Sequence, residues 1–92
     1  MLQLFKISGD SLYPYYTHGE RVICCKIFKN THIKVDDTVV FEKEHYGLMI
    51  KKVKKVIDNV YFVEGTNPYS IDSRNFGSLN FKEIKYKVLF KF

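Results

Sequence analysis

The 92-residue chain contains no alanine, while Val, Ile, Phe, Tyr and Thr recur throughout. Lacking the best helix former and rich in β-branched and aromatic residues, it does not read as a helical bundle, and the fold expected is all or mostly β. Arginine is nearly as scarce, since only Arg21 and Arg74 accompany thirteen lysines. The net charge of +5 and pI near 9.2 invite a nucleic-acid partner. The shortage of the residue that reads phosphate and guanine bidentately argues against one. Cysteine occurs only as the adjacent pair Cys24 and Cys25 in "RVICCKIF". Neighbours in a strand point to opposite faces, so two free thiols are expected, with no disulfide framework and no metal-ligand spacing. That fits a reducing compartment. No apolar run approaches the roughly 18 to 20 residues that cross a bilayer, and no signal peptide is recognisable. The expectation is a soluble, cytoplasmic chain without a cofactor, or a membrane-associated or extracytoplasmic one if it is a fragment of an anchored protein. Repeats, low-complexity stretches and Gly/Ser linkers are missing too, which leaves one domain over residues 1–92.

What is present is a core and a succession of strands. The hydrophobic fraction is 46%, with eight Phe and seven Tyr, enough to exclude a disordered chain. Strands are predicted at Leu2–Ile7, Arg21–Phe28, Thr38–Glu44, Tyr46–Ile57, Val60–Gly65 and Lys85–Phe92, with Asp58-Asn59 as a two-residue hairpin turn. The segment "GDSLYPYYTHGE" breaks the alternation with Gly9, Pro14 and Gly19 and reads as a turn or short helical piece. A loop carrying Asn67, Pro68, Ser70 and Asp72 leads through "NFGSLNFKEI" to the last strand. Even turn spacing suggests a coiled, partly closed antiparallel sheet.

Ser11 lies in the turn-like segment and needs a base to become a nucleophile near neutral pH. No histidine follows His45, and His18, His32 and His45 all fall in polar, exposed-looking segments, so a Ser-His-Asp arrangement finds little support. A lysine can serve instead. The two-residue period of the fourth strand puts Met49, Lys51 and Val53 on one face and Leu48, Ile50 and Lys52 on the other. Both faces carry apolar neighbours, so one lysine must turn its ammonium toward apolar surroundings. At the ordinary lysine pKa of about 10.4, roughly one amine in 2,500 is neutral at pH 7. Desolvation disfavours the charged form and raises that fraction. The alternative for these residues is plain: edge lysines deter aggregation and serines occupy turns.

Four segments add a resemblance. The letters "GDSL" also name a hydrolase family, but that family implies a longer alternating α/β chain with a late Asp-x-x-His pair, which is missing here. "ISGDSLYPYYTHGERVIC" resembles instead the serine box Gly-x-Ser-Met-x-Pro of type I signal peptidases and LexA-like peptidases, with Gly9, Ser11, Leu12, Pro14, Gly19 and Glu20 in its places. "VDDTVVF" is similar to their Gly-Asp-Ile-Val-Val-Phe strand, and "LMIKKV" resembles their lysine box. "EGTNPYSIDSRNFG" resembles the box Gly-Asp-Asn-…-Ser-x-Asp-Ser-Arg-x-x-Gly. The motifs occur in family order over nearly the whole chain.

This resemblance implies a serine endopeptidase with a Ser/Lys dyad, in which Ser11 is the nucleophile and Lys51 the general base. It implies that Ser70 orients Lys51 and that Asp72 and Arg74 form a structural ion pair behind the site. The backbone N–H of Ser11 would supply part of the oxyanion hole, and Gly9 could offer only backbone there. The substrate implied is a protein precursor or leader-type peptide bound as an extended strand, with small residues beside the scissile bond, and Tyr13, Tyr15 and Tyr16 are candidates to line its groove. Leu12 in place of Met and Thr66 in place of Asp depart from the family pattern, and the gap before Ser70 is one residue short. Two other readings stand beside this one: a small basic β-barrel binding nucleic acid or a protein partner through Lys51, Lys52, Lys54 and Lys55, and a peptidase-like scaffold without activity.

Overall fold

A computed structural model of the chain describes residues 1–9, 12–66 and 71–92. The fold is mostly β, a single antiparallel sheet of seven strands that is not closed into a barrel. The strands are β1 (Leu2–Lys6), β2 (Arg21–Lys26), β3 (Thr38–Lys43), β4 (Gly47–Ile57), β5 (Val60–Glu64), β6 (Leu79–Asn80) and β7 (Ile84–Lys91). Their order across the sheet is β1-β2-β7-β3-β4-β5-β6. The last strand therefore sits in the middle, joining the β1–β2 pair to the β3–β6 meander. Asp58 and Asn59 form the β4–β5 turn with φ of 49° and 65°, the left-handed pair that a two-residue hairpin requires.

The expected strands exist with ends shifted by a residue or two. The stretch read as loop before β7 holds more structure: a one-turn helix α1 (Ser73–Phe76), β6, and a 3₁₀ turn at Phe81–Glu83. Both turns are capped reciprocally, by Asp72 with Asn75 and by Asn80 with Glu83, which satisfies backbone donors at their starts.

Bulges bend the sheet and let both faces be buried. Lys54 is the unpaired extra residue of β4, between the pairs Val53↔Val63 and Lys55↔Phe62. It shifts the strand's phase, so Val53 and Val56 pack into the same cluster although they are three residues apart. Lys85 does the same in β7, sending Ile84 to one cluster and Tyr86 to the other. On β3, Val39 and Phe41 enter the cluster with Val53, Val63 and Leu79, while Val40 joins Ile7, Val22 and Cys24. A strand buried on both faces reads as a continuous apolar run, which "TVVF" is. Cys24 and Cys25 are both free thiols; Cys24 is buried and its pKa is pushed up to about 11 by burial, so it behaves as a small hydrophobe.

Candidate active site

Lys51 stands on β4 opposite Val39, on the face that also carries Met49 and Val53. It is only 4% exposed, while its neighbour Lys52 is half-buried. Among the described residues its Nζ makes no hydrogen bond or ion pair. Burial holds its pKa below the usual lysine range; the Asp72 carboxylate draws it partly back up, and the Arg74 guanidinium lowers it again.

Behind Lys51, Asp72 is fully buried as the N-cap of α1. One of its oxygens accepts from the Arg74 backbone N–H (3.0 Å) and Nε (2.9 Å), and the other from Arg74 Nη2 (2.6 Å) and the Gly65 N–H (3.0 Å). Burial by itself would raise the carboxyl pKa, but the hydrogen bonds from Arg74 and Gly65 prevail and hold it at about 2. The expected Asp72–Arg74 ion pair is thus present, and its charge reaches Lys51. Ser73 adds a further tie, its Oγ accepting the Val63 N–H of β5 at 2.8 Å.

The residues flanking these motifs meet. Thr66 Oγ1 donates to the Tyr13 carbonyl at 2.5 Å, linking the end of β5 to the Tyr13-Pro14 loop. Lys52 Nζ lies 5.1 Å from the centre of the Tyr15 ring and 4.0 Å from Asp36 Oδ1. Leu12 is buried at 3% exposure, in keeping with an apolar residue in the place of Met. Tyr13 and Tyr15 are exposed and border an open cleft with Lys52, Lys54 and Glu64, whereas Tyr16 packs against the second core cluster. Ser11 and Ser70 lie outside the described residues.

The Gly9 N–H is donated to His18 Nδ1 at 2.9 Å, which fastens the segment before Ser11. One expectation requires correction: the four lysines of β4 do not share one contact face. Lys51 is buried, Lys52 covers Tyr15, and only Lys54 and Lys55 are exposed, because alternation sends neighbours to opposite sides. His18, His32 and His45 are exposed as expected.

β4 also has an unpaired stretch. β3 covers one edge from Gly47 to Lys52, and Asp36 and Asp37 extend that pairing to Val53. β5 pairs with the other edge only from Lys52 onward. Among the described residues no strand pairs with Gly47–Lys51 on that side, and by alternation Leu48 and Ile50 turn their backbone N–H and C=O groups toward it. β1 is the outermost strand of the same curled sheet, and its Phe5 and Lys6, with Ser8, face Leu48, Met49 and Ile50 across a groove of about 130 Å³ floored by Val40.

Sequence reading missed Gly65 and Ser73 as supports of the Asp72 network. The spacing Asp72-x-x-Asn75 was the available signal, a capping pattern that marks a helix start. No protein-family model matches the chain, and no curated protein sequence matches it.

Proposed function

We propose that the chain is a serine endopeptidase of the signal-peptidase/LexA type, with Ser11 as nucleophile and Lys51 as general base. The observation that carries this reading is Lys51: a buried lysine with a lowered pKa that has, among the described residues, no carboxylate in ion-pair range and an open strand edge beside it. A structural lysine would extend its ammonium to water or to a carboxylate. A general base needs the neutral amine that this environment favours.

In the proposed reaction a peptide adds as a strand along Gly47–Ile50, in the groove facing Phe5–Ser8, and main-chain hydrogen bonds hold it. The narrow apolar floor favours small side chains next to the scissile bond. The neutral Lys51 amine takes the Ser11 proton as the hydroxyl oxygen attacks the peptide carbonyl, and the resulting ammonium gives it to the leaving amine as the C–N bond breaks. Water, deprotonated by the same amine, then attacks the acyl carbonyl, and the ammonium returns the proton to Ser11 Oγ as the ester C–O bond breaks. The Ser11 backbone N–H serves the oxyanion, and Ser70 orients Lys51. The Asp72–Arg74 pair keeps the segment after β5 in place without touching substrate.

The test is cleavage of unstructured protein and peptide libraries by the full chain. Ser11→Ala is expected to abolish turnover, and Lys51→Met to lower it by about 10²- to 10⁴-fold, the usual range for a general base. Parental cleavage by both variants would refute the dyad.

A further inference from the structure

Away from the β4 edge, a groove of about 500 Å³ opens where β7 begins. The bulge at Lys85 parts β7 from β3 there, the pairing jumping from Val40↔Tyr86 to Phe41↔Ile84. Four exposed lysines stand around it: Lys26 at the end of β2 and Lys29 after it, and Lys82 and Lys85 before and within β7. Among the described residues none of the four has a carboxylate at ion-pair distance, and Lys85 Nζ reaches only the Lys82 carbonyl, at 3.0 Å. Among the described residues Glu42 is the one carboxylate that lines the groove, against four lysines. Between the lysines the lining is apolar, from buried Ile84 to Phe28, which is 52% exposed.

A groove with uncompensated cations above an apolar floor calls for an anionic partner that also brings apolar side chains. We propose that it docks an acidic peptide segment carrying aliphatic or aromatic anchors, contributed by a partner protein. A single-stranded nucleic acid fits the same charge but not the floor. Of the rings among the described lining residues only Phe28 is exposed, the half-buried Phe81 meeting Tyr61 and the half-buried Tyr86 meeting Phe5, where strand binders use several. No arginine lines the groove, so the residue that grips phosphate bidentately is missing from it. The docking does not depend on the peptidase reading, because it is measured without turnover.

The probe is a short fluorescein-labelled peptide rich in Glu and Asp with a central Leu-Phe pair, titrated by anisotropy with the full chain carrying Ser11→Ala. Saturable binding is expected, weakening as salt rises because the contacts are exposed ion pairs. The double variant Lys82→Glu/Lys85→Glu is expected to weaken it by about tenfold, from two attractions turned to repulsions. Glu42→Lys is expected to tighten it, a gain that misfolding does not mimic. Absence of peptide binding, affinity indifferent to both charge changes, or tighter binding of an oligo-dT strand than of the peptide would each overturn the proposal.

Discussion

Replacing Lys51 by methionine is expected to stabilise the fold while lowering the proposed peptidase turnover. The residue is 4% exposed among Met49, Val53 and Val39, and no described residue accepts a hydrogen bond from its ammonium. Methionine keeps nearly the same length and removes the polar head. Burying a polar group without a compensating hydrogen bond costs about 1–3 kcal/mol in protein mutants. Nζ keeps some contact with solvent, and attraction to Asp72 offsets part of this cost while repulsion by Arg74 adds to it, so the low end, about 1 kcal/mol, is the gain expected. In a domain of this size that raises Tm by about 4–8 °C.

The pH dependence separates this cause from better packing. The folded-state pKa of Lys51 is lowered, so between it and the unfolded value of about 10.4 the unfolded chain holds a proton that the folded chain has lost. The parent's stability therefore rises with pH through that window, and the deficit is present in full below it. Lys51→Met lacks this slope, so its advantage is largest at low pH and fades toward alkaline pH. Thermal melts of both proteins, followed by circular dichroism from about pH 6 to about pH 10, measure it directly. A variant less stable than the parent by an amount independent of pH would refute the reasoning and make Lys51 an ordinary structural residue.

Other outcomes follow from the packing around the site. Asp72, with a carboxyl pKa of about 2 against an ordinary 3.8, contributes about 2 kcal/mol that is present above pH 4 and lost as pH falls toward 2. Asp72→Asn should remove that acid limb from a pH series of urea melts. Leu79→Ala, at a fully buried side chain in the two-residue β6, should cost about 2–5 kcal/mol by the same assay. A cost below about 0.5 kcal/mol would mean that β6 is not part of the core.

Much of the fold was legible because its signals are local. Alternation in "LQLFK" and "RVICCK", the run "TVVF" and the Asp58-Asn59 turn each act over a few residues, and each marks its element. β6 was not legible, because a strand of two residues has no period to read; Leu79 is buried by what lies against it. The ends of β2 and β7 shifted for a related reason, since pairing with a distant strand, and not local composition, decides where a ladder stops.

The site divides along the same line. The amino-acid sequence by itself determined that Lys51 and Lys52 face opposite ways and that a serine segment, a lysine strand and an Asp-x-Arg segment occur in that order. Side-chain direction along a strand is fixed by backbone geometry alone. Which of the two lysines loses its water was decided only by tertiary structure. Closure of Val39, Val53 and Val63 around one face buries Lys51, whereas the other face gives Lys52 the Tyr15 ring and Asp36. The open edge of β4 was likewise invisible in sequence, because it exists where β5 begins its pairing only at Lys52, and a missing partner is a property of the whole sheet.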